Sequence, residues 1–77
     1  MNKTLYEYIA YNNANLPICW AKDYSKERAE HSCYLELYDY MRMRGYNKKD
    51  LKKFKVIYNK DNLNLQQLII NNNKKGK

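Results

Sequence analysis

The small size of the chain constrains its fold before any motif does. At 77 residues it makes one domain at most. A chain of that length buries only about 60% of the surface its unfolded form exposes, so its core is marginal. Natural domains of this size gain stability from disulfides, metals or self-association, and the sequence is poor in the means for the first two. Cys19 and Cys33 allow one bridge, whereas small secreted scaffolds usually carry four or more cysteines. Glu7 and Asn12-Asn13 interrupt any apolar run that would read as a secretory signal. No segment approaches the ~20 apolar residues of a membrane span. These features predict a reducing, cytoplasmic setting, with no membrane attachment and no cofactor.

Half of the chain is Lys, Asn, Tyr, Ile and Phe (12, 11, 9, 5 and 1 residues), all of which use A/T-rich codons. Such a gene fits a low-GC bacterium, its phages and plasmids, or an A/T-rich virus, and for a phage or viral protein the host cytoplasm is the expected location. An A/T-rich gene also writes Lys without any ligand requiring it, so Lys content alone carries little meaning.

The distribution of charge carries more. Residues 1–41 hold four basic side chains against six acidic ones. Residues 42–60 hold Arg42, Arg44, Lys48, Lys49, Lys52, Lys53, Lys55 and Lys60 against Asp50 alone, and the whole chain nets +7. Codon bias would spread Lys evenly. A cluster raises the local concentration of acidic partners and speeds encounter with them.

Along the chain, Thr4-Leu5-Tyr6-Glu7 has the spacing of a capping box and predicts a short helix to about Tyr11, ended by Asn12–Asn15 and Leu16-Pro17. Trp20, the single tryptophan, is expected to plug the core. A second helix should start near Asp23 or Ser25, both good caps. Ala29, Cys33, Tyr34, Leu37, Tyr40 and Met41 then fall in one arc, with Leu35 and Met43 outside it. Residues 33–44 also alternate with period 2, which fits a strand. Leu, Met and Glu favour the helix, and Gly45 stands where a helix C′ residue would, just after Arg42 and Arg44. Asn47-Lys48-Lys49-Asp50 opens a third helix, whose arc is Leu51, Phe54, Ile57 and Tyr58. The competing reading is a strand over residues 53–58. Residues 59–62 read as a turn, Leu63 to Ile70 as a last helix, and residues 71–77 as a disordered basic tail.

The predicted fold is therefore all-α, a small three- or four-helix bundle over residues 1–70. The alternative is an α+β arrangement with a hairpin at about 33–44 and 53–59. The corner marked by Leu37, Met41, Gly45, Tyr46 and Leu51 is similar in its apolar spacing to the helix corner of SAP-type DNA-binding modules. It has a shorter loop after the glycine and lacks that family's second glycine and lysine, so membership does not follow.

The candidate site is the basic set Arg42, Arg44, Lys48, Lys49, Lys52, Lys53, Lys55 and Lys60, suited to neutralising phosphates with strong salt dependence. Its alternative is a solvated face that keeps a small protein soluble. Base-specific readout uses Arg, Asn or Gln fitted to base edges, and this set is mostly Lys. The tyrosines are too many for one small core. Tyr8, Tyr11, Tyr38 and Tyr46 are candidate interface residues, because Tyr offers large area at low entropic cost and stacks on unpaired bases. Cys19, His31 and Cys33 lack the paired spacing of a zinc site. On a helix, His31 and Cys33 point apart, which disfavours a nucleophile–base pair. No glycine loop for phosphate and no supported carboxylate pair is present, so no enzyme is expected.

Two functions follow as expectations. The first is a small nucleic-acid-binding accessory or regulatory protein of a phage or mobile element. The second is an inhibitor, such as an anti-CRISPR-like factor, that docks tyrosines and lysines on an acidic surface of a host protein or ribonucleoprotein. A homodimer joined through exposed tyrosines is a third possibility.

Overall fold

Aromatic and β-branched side chains make up four of the six residues of Tyr6–Tyr11, and such residues favour strands. Tyr6–Tyr11 (β1) and Pro17–Asp23 (β2) pair as an antiparallel hairpin in the computed structural model, which describes the backbone of residues 3–75 and the side chains of residues 3–70. The helix predicted over Leu5–Tyr11 is thus a strand. Glu7 does not close a capping box with Thr4; it accepts a hydrogen bond from Asn59 Nδ2 at 2.8 Å. The Asn-rich segment is the hairpin loop. Asn12 Oδ1 accepts from the backbone N–H groups of Ala14 (2.9 Å) and Leu16 (3.0 Å). Asn15 takes a left-handed φ of 61°, which Asn tolerates better than most side chains.

Lys26–Met43 (α1) follows, with Ser25 as its N-cap accepting from Arg28 N–H. Ala29, Cys33, Leu37 and Met41 form its buried stripe, one residue per turn. The small side chains at 29 and 33 let the helix lie close to the sheet. Leu35 and Met43, outside the predicted arc, are exposed. Next comes a 3₁₀ segment, Lys48–Lys53, then a strand, Lys55–Tyr58 (β3), and a last helix, Leu65–Lys75 (α2). The sheet order is β2-β1-β3, antiparallel throughout.

The protein is therefore α+β, not the all-α bundle that the helical periodicities predict. The predicted hairpin alternative is right in class and in the strand near 53–59, but residues 33–44 are helical and β3 pairs with β1. The helix predicted from Asn47 through Tyr58 stops after six residues. Val56, Ile57 and Tyr58 favour extended backbone, and pairing with β1 supplies their hydrogen bonds. α2 runs helical through Lys75, into the segment predicted as a tail; Gly76 and Lys77 lie outside the described residues.

β1 is the central strand and is covered on both faces. Tyr8 and Ala10 meet α1, together with Tyr6, Cys19, Ala21, Val56 and Tyr58 from the sheet. Ile9 and Tyr11 face the other way, into a smaller cluster with Leu63 and Leu68. The pairing shifts between Ala10 and Tyr11, so that Ile18 has no partner on β1. This bulge turns Ile18 to the α1 side beside Cys19. Burying a side chain such as Leu37, which is 0% exposed, contributes about 1.5–3 kcal/mol.

The second layer is held by one polar side chain. Asn59 is buried. Its Nδ2 donates to Glu7 Oε1 (2.8 Å) and to the Leu63 carbonyl (2.9 Å), while its Oδ1 accepts from Leu63 N–H (3.1 Å). Its own backbone N–H donates to the Glu7 carbonyl at 2.8 Å. Every polar atom of that side chain is thereby used. The turn that leads into α2 is tied to β1.

Candidate functional site

The C-terminal end of α1 is where the charge and the aromatics meet. Gly45 has φ 80° and ends the helix as predicted. Gly45 N–H donates to the Arg42 carbonyl (3.2 Å) and Tyr46 N–H to the Met41 carbonyl (2.9 Å). Those two bonds make a Schellman motif, which brings the residue after the glycine back onto the last turn of the helix. Tyr46 is therefore placed beside Met41 by backbone geometry. Asn47 then caps the 3₁₀ segment. Its Oδ1 accepts from Lys49 N–H (3.0 Å), and Asp50 Oδ2 accepts from Asn47 N–H (2.9 Å). That capping box matches the predicted start, although the helix it opens is short.

Between the helix end and the 3₁₀ segment lies a groove of about 820 Å³, with Tyr38, Met41, Tyr46 and Leu51 as its apolar walls and Arg42 and Lys48 at its rim. Tyr38 and Tyr46 are 48% and 38% exposed. Aromatic contacts back the tyrosine: Tyr46 meets Phe54 edge-on (5.4 Å between centroids, 89°), and Phe54 meets Tyr40 edge-on (6.1 Å, 81°). Arg44 lies over the Tyr40 ring at 4.5 Å, within cation–π range. Lys53 Nζ stands 6.0 Å from the Tyr46 centroid.

Arg42, Arg44, Lys48, Lys49, Lys52 and Lys53 are all exposed, and of these Arg42 and Lys48 line the groove. Arg42 pairs with Asp39, and Lys53 pairs with Asp50 at 3.0 Å. Hydrogen bonds from Asn47 N–H and Lys53, with the nearby lysine charges, hold the Asp50 carboxyl below its ordinary value. Among the described residues, Lys48, Lys49 and Lys52 make no ion pair.

The remaining predicted site residues fall elsewhere. Lys55 is opposite Tyr11 on β1 and projects from the sheet face turned away from α1. Lys60 follows Asn59 in the turn at the other end of β3. That end lies near the start of α1, where Lys26 Nζ sits 4.8 Å from the Tyr58 ring. Tyr8 and Tyr11, expected at an interface, are buried on opposite faces of β1. Of the four tyrosines, Tyr38 and Tyr46 are the pair that the fold brings to the basic cluster.

Two further features escape the sequence. Trp20, predicted in the core, is 46% exposed. It pairs with Ile9 across β1–β2 and so lies on the face away from α1. There it borders a second groove of about 740 Å³ with Leu5, Leu63 and Leu65. Cys19 and Cys33 are also neighbours. A hydrogen bond from the Cys33 thiol holds Cys19 below its ordinary value, and the same bond, with burial, pushes Cys33 well above it. His31 is exposed, off the buried stripe that carries Cys33. No helix among the described residues is long and apolar enough to cross a membrane. Comparison with protein-family models, curated proteins and solved structures finds no match.

Proposed function

We propose that this protein binds nucleic acid through the C-terminal end of α1 and the 3₁₀ segment, as an accessory or regulatory factor of a phage or mobile element. One observation carries the reading: a groove walled by two exposed tyrosines has Arg42 and Lys48 in its lining, four more exposed cations lie between Arg44 and Lys53 in the chain, and among the described residues Lys48, Lys49 and Lys52 are not committed to carboxylates. The Arg42–Asp39 pair is exposed on both sides and the Lys53–Asp50 pair on the lysine side. Such pairs contribute at most about 1 kcal/mol, so Arg42 and Lys53 are cheap to redirect onto phosphates.

Fluorescence anisotropy at about 50 and 200 mM salt tests it. Engagement of about six phosphates predicts a loss of affinity on the order of 10²–10³-fold across that range. Lys49, Lys52 and Lys53 replaced by Glu should abolish binding. No binding at the lower salt contradicts the proposal.

The second reading, an inhibitor of a host protein or ribonucleoprotein, draws support from a different observation. Trp20, Ile57 and Leu65 are exposed on the face away from α1, and exposed apolar surface of this kind favours protein contact. Under that reading Trp20→Ala abolishes inhibition and the lysine changes weaken it.

A further inference from the structure

We infer that the groove between α1 and the 3₁₀ segment takes the unpaired bases of a single strand, so that the occupant of the site is an unpaired polynucleotide rather than a duplex. This rests on the nucleic-acid reading above and specifies its ligand.

The shape of the patch argues against duplex readout. A duplex is read by a helix or a β-ribbon laid in the major groove. Here the cations stand at a helix terminus and on a six-residue 3₁₀ segment, not along the face of a helix. Between them lies a recess with an apolar floor, which phosphates alone would leave empty. Unpaired bases fill such a recess, because every base offers a flat face and aromatic side chains stack on it without regard to sequence.

The groove has the parts that stacking needs. Tyr38 and Tyr46 expose ring surface into it, with Met41 and Leu51 beneath. Tyr46 is held by its edge-on contact with Phe54 and by the Schellman turn at Gly45. A ring already fixed loses little entropy when a base lands on it. Tyr34 lies 6.1 Å from Tyr38 and supports that ring in turn. Arg42 and Lys48, which also line the groove, are available to the backbone of a strand whose bases turn inward. Lys53, 6.0 Å from the Tyr46 centroid, adds a cation beside the stacking ring.

The test titrates oligo(dT), oligo(U) and a mixed-sequence duplex against the intact protein. It repeats this for Tyr38→Leu/Tyr46→Leu, which keeps apolar bulk without a ring, and for Tyr38→Phe/Tyr46→Phe. Thermal melts confirm that each variant is folded. The expected result is single-strand binding at least about tenfold tighter than duplex binding. The Leu pair should lose roughly tenfold or more for single strands, a larger loss than for duplex, and the Phe pair should restore it. Duplex binding as tight as single-strand binding, insensitive to the tyrosines, overturns the inference and leaves the proposed function standing. Polyglutamate competing as well as oligo(dT) also overturns it, by showing that charge alone is read. Failure of every nucleic acid to bind at about 50 mM salt overturns the proposed function with it.

Discussion

Gly45 shows how one residue sets the site. Its φ of 80° lies in the left-handed region, and a Cβ there would meet nothing within 4 Å. The cost of a side chain is thus purely one of backbone, about 1–2 kcal/mol. Gly45→Ala should lower stability by about that amount and weaken nucleic-acid binding as well, because the turn that seats Tyr46 on Met41 is strained. Denaturant melts and anisotropy on the same sample check both. Gly45→Asn should be milder on both counts, since Asn visits this region more readily. The cysteines give a second test at this scale. Cys19 is half-buried with its thiol held below the ordinary value, while Cys33 is buried and pushed above it. Iodoacetamide at about pH 8 should alkylate Cys19 in the folded protein and reach Cys33 only on unfolding. Equal labelling rates by mass spectrometry would contradict the packing of β2 on α1.

At the scale of elements, the two sides of the sheet should differ in robustness. Leu37 anchors α1 and is 0% exposed; Leu37→Ala should cost about 2–5 kcal/mol and unfold the domain globally. Asn59→Ala should cost about 1–3 kcal/mol, since it orphans the Leu63 N–H and carbonyl. Hydrogen exchange should then show lost protection over residues 63–70, with α1 retained. Elements defined by local chemistry were legible in the sequence. Ser25, Gly45 and the Asn47–Asp50 box each use bonds within a few residues, and all stand where the residues predict. The sheet was not legible, because its pairings are long-range. β1 in particular is buried on both faces, so it lacks the alternation that marks a half-exposed strand, and Thr4-x-x-Glu7 imitates a helix start. β3 was legible only as the alternative to a helix, by coincidence: Leu51, Phe54, Ile57 and Tyr58 fit a helical arc, yet Val56 and Tyr58 pack toward α1 while Ile57 is exposed. The candidate site was legible in its charge, which needs only counting. Sorting the tyrosines, and separating Lys55 and Lys60 from the rest, required the fold.

For the whole molecule, six exposed cations fall between Arg42 and Lys53, and exposed Trp20, Ile57 and Leu65 mark the sheet face away from α1. The carboxylates that matter to stability serve backbone geometry. Asp23 lies below its ordinary value mainly through the Ser25 N–H it accepts, and Asp50 through Asn47 N–H. Because folding depresses both, their contribution is present above the unfolded value of about 3.9 and is lost as pH falls through the lower folded values. Thermal melts from about pH 2.5 to 7 should show stability declining below about pH 4, with a shallower decline in Asp23→Asn/Asp50→Asn. Under the proposed function, one end of the molecule binds and the partner is a polyanion. The most direct measurement is a residue-resolved map of ¹H–¹⁵N shifts during titration with oligo(dT) at low salt. Perturbations are expected over residues 38–53, centred on Arg42, Tyr46 and Lys48, with Trp20 and Ile57 still. Perturbations centred instead on Trp20, Ile57 and Leu65, or none at all, would contradict it.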